Sequence, residues 1–286
     1  MNRDRPLKPI VLCADDYAIA PGVSRAILAL IDDGRLSATS CLSVSPFWPE
    51  HANWLRPRAA RADIGLHLAL TDLRPLGPMP RLAPRGRLPP LARLLGTALS
   101  GGLDRDEIAD EVDRQIDRFA IAFGRPPDYV DGHMHVHQLP VVRDIVVDRL
   151  RSRLPSAYVR VCDEPLGAIL RRKTAVARAS IISLLGRGLR RRVDRLGIPS
   201  NRRFAGVRDF DEPQPYRELF RRFIANAPDG LLIMCHAGTP DAALADVDAV
   251  TYQREDEYRY LGSQECLDDL AEAGVTVARF RPPGAR

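Results

Sequence analysis

The sequence lacks the marks of several protein classes at once. Its five cysteines (Cys13, Cys41, Cys162, Cys235 and Cys266) are odd in number and scattered without paired spacing. That excludes a disulfide scaffold and a thiolate metal cluster, and suits small buried residues in a reducing cytoplasm. No apolar run approaches the roughly 18 residues of a membrane span. The opening MNRDRPLKP carries no apolar stretch of a secretory signal. Net charge is only +5, the arginines are mostly dispersed and no nucleic-acid-binding motif is present, so a nucleic acid partner is not expected. Neither an internal repeat nor a linker-like stretch breaks the 286 residues, which read as one domain, 1–286. Histidine is scarce too, with six in all, so the places where they fall are informative.

Short apolar runs alternate with longer helical patterns, the mark of a parallel sheet with crossover helices. PIVLCA, residues 9–14, reads as a first strand. After the loop DDYAIAPG, Val23, Ala26, Ile27, Leu30 and Ile31 recur at helical spacing, and Gly34 ends the helix. SATSCLSV and DIGLHLAL read as the next two strands. In the latter, Ile64, Leu66, Leu68 and Leu70 share a face toward helices, while Gly65, His67 and Ala69 share the other, toward an interior. A Pro/Arg/Gly-rich loop runs from Leu73 to about Leu88. Asp104 with Glu107 resembles a capping box, opening a helix with Ile108, Val112, Ile116, Phe119 and Phe123 on one stripe and Gly124 at its end.

DGHMHVH, residues 131–137, reads as a strand. The prolines of the preceding PPDYV rule out helix interior, and alternation puts Asp131, His133, His135 and His137 on one face. Beyond it the pattern predicts a helix from Val141 to Leu150, a strand in AYVRVC, a basic helical region from Leu166 to Leu196 and a short strand in RFAGV. A helix from Tyr216 to Ile224, the strand LLIMCH, a helix from Gln264 to Ala273 and a strand in VTVARF complete it. The fold class is α/β. A (β/α) barrel, complete or cut to seven strands, fits best, and an open doubly wound sheet is second.

Polar residues gather where strands end: Asp15-Asp16, His67, the Asp131/His133 run and His236. In parallel α/β folds that end carries the active site. Neutral imidazoles with a carboxylate suit a divalent ion, Zn²⁺ first and Mg²⁺ as the alternative, with positions left open for water and substrate. Adjacent aspartates can both face one site only where the chain bends. One of them can then bind metal while the other acts as a base on metal-activated water, with His236 as the opposing acid. Such a set suits hydrolysis of an acyl bond.

Four stretches in order, CADDYAIAPGV, GLHLALT, DGHMHVH and MCHAG, resemble the motifs of the YdjC-like carbohydrate deacetylases. They run from Cys13 to Gly238, most of the chain. The resemblance implies a (β/α) barrel of the glycoside hydrolase/deacetylase type and metal-dependent removal of an acetyl group from an N-acetylated amino sugar, free or lipid-linked. It implies Asp16, His67 and His133 as metal ligands, Asp15 as base, and His236 as acid or oxyanion partner. His135 and His137 would line or support the pocket. Arg160 falls where the family often has a pocket arginine, with an ordinary surface arginine as the alternative, and Phe204 is a candidate to stack on a sugar whose plainer reading is a core phenylalanine. Tyr17 and Ala18 stand where the family commonly has Phe-Gly, and Ala237 and Gly238 follow the MCH motif where proline is common. Tyr17 therefore joins the substrate-contact candidates. A metal-dependent phosphoesterase and a non-catalytic sugar- or metal-binding protein are the competing readings. The former wants more ligands, and the latter has no use for a second aspartate.

Between 166 and 185, Leu166, Ile169, Leu170, Val176, Ile181, Leu184 and Leu185 share a helical stripe, and Arg187, Arg190, Arg191, Arg192 and Arg195 follow. The plain reading is a barrel helix with a solvated basic face. The sharper one is peripheral contact with an anionic membrane at its cytoplasmic face. A monomer or homodimer in the cytoplasm is expected.

Overall fold

The computed structural model describes residues 6–210 and 214–281. In chain order, β1 (Lys8–Tyr17) leads into α1 (Pro21–Asp32), then β2 (Ala38–Cys41), α2 (Trp48–Leu55), β3 (Asp63–Leu68), α3 (Leu91–Leu99) and α4 (Arg105–Phe123). β4 (Tyr129–Gly132), α5 (Val142–Ser152), β5 (Tyr158–Val159), α6 (Leu166–Arg172) and α7 (Val176–Leu196) follow. The remainder is β6 (Arg203–Ala205), α8 (Tyr216–Ile224), β7 (Leu231–Cys235), α9 (Ala242–Ala245), α10 (Tyr252–Gly262), α11 (Gln264–Glu272) and β8 (Val275–Val277).

The strands pair in the order β5-β4-β3-β2-β1-β7-β6, all parallel, and β8 adds to the first residues of β1. One isolated bridge, Val159 to Ser200, brings β5 against the approach to β6 and closes the ring. Asn201 laces that seam. Its Oδ1 accepts from the Val161 amide at 2.7 Å, and its Nδ2 donates to the carbonyls of Val161 at 2.9 Å and Arg203 at 2.8 Å. The expected seven-strand barrel is therefore present, with helices packed around it.

Local chemistry accounts for the elements. The Asp104 carboxylate accepts from the amides of Asp106 and Glu107 to start α4, and Gly124 takes a left-handed φ of 89° to end it. The loop before α3 is held by acids of α4: buried Glu111 accepts from the amides of Leu76 and Gly77, and Glu107 from those of Arg81 and Leu82. In β3 the alternation works as expected. Ile64, Leu66 and Leu68 join the large apolar core, and Gly65 faces inward, where a Cβ would lie 2.3 Å from the Tyr129 ring. The opposite end of the barrel is closed by the segment after β8. Phe280 donates its amide to Asp63 and stacks on Tyr158 at 4.0 Å, which stacks on Tyr129 at 4.8 Å.

Several expectations are corrected. The DGHMHVH run is not a strand: β4 stops at Gly132, and His133–Gln138 form a tight 3₁₀ segment with Met134 (φ 53°) and His135 (φ 60°) left-handed. The three histidines thus do not share a face. The first strand does not end at Ala14 but runs through both aspartates, with an irregularity between Ala14 and Tyr17 and Asp16 at φ 65°. AYVRVC pairs only over Tyr158–Val159. The Leu166–Leu196 region breaks into two helices at left-handed Lys173 and Ala175. Its apolar stripe is not a core face, since Leu166, Leu170, Ile181 and Leu184 are all at least half exposed. α2, α3 and α10 carry no expectation from the sequence pattern.

Candidate metal centre and cavity

Because the ring strands are parallel, their carboxyl ends meet on one side, and the polar residues meet with them. The bulge in β1 solves the geometry of two adjacent aspartates: its left-handed φ turns Asp16 so that it and Asp15 both reach the same cavity. Asp16 Oδ1 lies 2.9 Å from His133 Nδ1 and 3.3 Å from His67 Nε2. Asp16, His67 and His133 each offer one ligand atom, all within 4.8 Å of one another.

The surrounding contacts orient this trio. His67 Nδ1 donates to Asp131 Oδ1 at 2.6 Å, so Nε2 is the ring atom turned toward Asp16. Asp131 is itself held by the Ser40 hydroxyl at 2.5 Å and by Arg160 at 3.1 Å. Arg254 of α10 donates to Asp16 Oδ2 at 2.7 Å, the oxygen turned away from the histidines, and to Asp248. Burial opposes charge on both Asp16 and His67, but it is outweighed in each. Arg254 and His133 hold the Asp16 carboxyl well below the usual carboxylate range, and Asp131 and Asp15 push the His67 imidazole up. Two imidazole nitrogens and one carboxylate oxygen in this compass, with the tautomer of one ring fixed from behind, fit a divalent cation.

Asp15 is held differently. Arg160, fully buried, grips it with two hydrogen bonds, Nη1 to Oδ1 at 2.7 Å and Nη2 to Oδ2 at 2.9 Å. The Cys13 thiol also donates to Oδ1 at 3.6 Å, so it is Oδ2 that keeps a further lone pair, and Asp15 still lines the cavity. His236, just past β7, lines it too. Its amide donates to Glu257 of α10 at 2.5 Å, its ring meets Phe210 edge-on at 5.3 Å, and its Nδ1 has no hydrogen-bond partner among the described residues.

The remaining residues expected at the pocket separate. His135 lines the cavity, with Nδ1 3.4 Å from Cys162 Sγ, and burial with nearby Arg160 drives its pKa well below the ordinary histidine value. His137 points inward and donates Nε2 to the Arg160 carbonyl at 2.8 Å. Arg160, Tyr17 and Phe204 are also away from the cavity lining. Arg160 lies behind Asp15, and Tyr17 donates its hydroxyl to the His51 carbonyl. Phe204 packs edge-on against His135. Arg208 and Arg254 went unnoticed in the sequence, although both are buried and line the cavity. The available signal was slight: Arg254 and Glu257 sit three apart on a helix, on a face that is buried.

The comparisons bear on this arrangement. A profile described as YdjC-like protein matches residues 9–272. A chitooligosaccharide deacetylase of Yersinia pestis (strain Angola) is 28% identical over 274 residues, covering 96% of this chain and 98% of its own. That of Yersinia pseudotuberculosis serotype O:1b (strain IP 31758) matches to the same extent. Among solved structures, a candidate cellobiose-phosphate cleavage protein of Enterococcus faecalis V583 superposes with a TM-score of 0.73 at 20% identity, covering 96% of this chain and 97% of that one. A family 4 carbohydrate esterase of Streptomyces lividans, in complex with acetate, does so with a TM-score of 0.50 at 9% identity, over 98% and 96% of the two chains. The structural likenesses establish the barrel fold; the profile, spanning nearly the whole length, establishes that the chain belongs to the YdjC-like family.

Proposed function

We propose that this protein is a metal-dependent hydrolase that removes the acetyl group from an N-acetylated amino sugar, and that the whole chain serves this one site. The carrying observation is the open trio of Asp16, His67 and His133 at a cavity that Asp15 also lines. The Yersinia relatives, named chitooligosaccharide deacetylases, support the choice of substrate class. Asp16, His67 and His133 would hold the cation, and this donor set suits Zn²⁺ better than Mg²⁺. When bound, the ion supplies Lewis acidity toward the amide carbonyl and toward water.

The chain's own residues do the rest. Asp15, fixed in orientation by Arg160, accepts the proton of the attacking water. His236 lines the same cavity and hands a proton to the departing amine nitrogen. Asp131 keeps His67 in the tautomer that offers Nε2, and Arg254 holds Asp16 so that Oδ1 faces the histidines. A two-metal phosphoesterase is less well supported. The second cluster with ligand-type spacing, Cys13–Asp15–Asp131, is wholly buried, and neither Cys13 nor Asp131 reaches the cavity.

Acetate release from a panel of N-acetylated amino sugars, run beside phosphomonoester substrates and with a chelator arm, tests the reading. Acetate production that stops on chelation and returns with Zn²⁺ is expected. Phosphate release without acetate release would overturn it.

A further inference from the structure

The face that α10 buries is polar. Gln253, Arg254 and Glu257 all turn into the protein, and Arg254 and Glu257 are 2% and 0% exposed. A helix ordinarily buries an apolar stripe, and charges taken out of water need partners. The partners here gather around one residue, His236.

Glu257 holds His236 by its backbone. One carboxylate oxygen accepts the His236 amide at 2.5 Å, and the other accepts Arg208 Nη1 at 3.0 Å. Two residues on, the Gly238 amide donates to the Arg254 carbonyl at 3.0 Å. The ring is held from the same helix. Arg208 lies over the face of Phe210 at 5.3 Å, and Phe210 meets the His236 ring edge-on at 5.3 Å. Gln253 donates to the Phe210 carbonyl at 2.9 Å. Glu257 thus reaches His236 twice, directly at the amide and through Arg208 and Phe210 at the ring. One turn earlier, Arg254 donates to Asp16 at 2.7 Å, so the helix runs from the metal trio to His236.

We propose that Glu257 is a positioning residue that fixes where the His236 ring stands relative to Asp16, His67 and His133. This rests on the deacetylase reading for what His236 does, and adds what keeps it in place. The leaving group supplies the consequence. When the C–N bond of an amide breaks, the electron pair stays on nitrogen, which must take a proton, and His236 provides it. When the C–O bond of an aryl ester breaks, the pair leaves on a phenolate that needs no proton. A loosened His236 therefore slows amides and spares aryl esters.

The test compares acetate release from an N-acetylated amino sugar and from para-nitrophenyl acetate by the metal-loaded protein. Glu257→Gln keeps the shape of the side chain but accepts through one oxygen only. It should lower amide turnover about 10- to 100-fold, up to the cost of a misplacement by about 1 Å. Ester turnover and metal content should stay nearly unchanged. In a His236→Ala background the same substitution should bring no further loss on the amide, because no ring is left to place. Arg259→Gln, on the outer side of α10 with its side chain 74% exposed, should leave both substrates unaffected. Apart from turnover, magnetic resonance of protein labelled at histidine should show the His236 amide proton moving upfield in Glu257→Gln, as a charge-assisted bond gives way to a neutral one. If Glu257→Gln does not fold, Glu257→Asp keeps the charge beside Arg208, shortens the reach by one methylene, and is read by the same ratio of amide to ester turnover. Equal losses on amide and ester, a full further loss in the His236→Ala background, or an unmoved His236 amide proton would each overturn the proposal and leave the deacetylase reading standing. A shifted amide proton in a protein whose wild type cleaves the ester but no N-acetylated sugar would uphold the hold on His236 and sink that reading.

Discussion

Asp15 and Asp16 are neighbours that answer to different arginines, and their substitution should separate two functions. Asp16→Ala removes a ligand atom from the trio, so bound metal and activity should fall together, read by metal analysis of the purified protein. Asp15→Asn keeps shape and leaves the trio intact, so metal content should hold while turnover drops about 10²- to 10⁴-fold, the usual worth of a general base. An emptied site in Asp15→Asn would reverse the assignment. Asp131→Asn probes the support behind His67: the amide holds the ring less firmly, and metal affinity should weaken about 10- to 100-fold, read by competition with a chelating dye. At this scale the gathering of polar residues was legible, because histidine is scarce and falls with Asp15-Asp16 at strand ends, while the choice of Asp16, His67 and His133 as a set came from the motifs' resemblance. What Arg160 does was not legible. A guanidinium on a strand reads as a substrate contact or a surface charge, and only the barrel interior shows it behind Asp15, tying Asp15 to Asp131. Arg254 was hidden because it arrives from a helix 238 residues after the aspartate it touches.

Elements were legible where the alternation or the caps were local, as in β3 and α4, and misread where backbone conformation departs from the pattern. Histidines at every second position imply a strand only if every φ is extended, and two left-handed residues in succession turn the run into a corner that gives each histidine its own neighbour. The basic region shows the same limit. Arg190 is spent on Ser200 and the Asn201 carbonyl, and Arg192 on Asp144, so these two of the five arginines serve the fold. α2, invisible to the periodicity, carries a pH-sensitive attachment. His51 is buried between Phe47 and Trp54, with Nδ1 2.9 Å from the Ser24 hydroxyl of α1. Burial, helped by nearby Arg25, pushes its pKa down to about 4. Since the folded value lies below the ordinary ~6.5, the stabilisation is complete above about pH 6.5 and is lost as pH falls toward 4. The loss should approach roughly 2–3 kcal/mol by linkage. Urea unfolding at pH 7.5 and pH 5 should show it, with a smaller difference in His51→Gln. Identical differences in the two proteins would remove His51 from the account.

For the molecule as a whole, alternating strands and helices announced the barrel, but nothing local in the sequence could announce how it closes. Closure depends on one backbone bridge and one side chain, Asn201, meeting β5 across the long excursion of α6 and α7. Asn201→Ala removes three hydrogen bonds and leaves the buried Val161 amide and carbonyl without these partners. It should cost about 2–4 kcal/mol, with the Val159 and Val161 amides the first to lose protection in hydrogen exchange. Unchanged protection there would mean that packing alone holds the seam. At the other end of the barrel, the ring stack of Phe280, Tyr158 and Tyr129 acts as a stopper. The barrel interior is thereby covered from below by Phe280, at the end away from the cavity at the strand ends. Since the attraction between Arg160 and its two aspartates grows as the local dielectric falls, the grip on Asp15 depends on a seal that lies at the far end of both the molecule and the sequence.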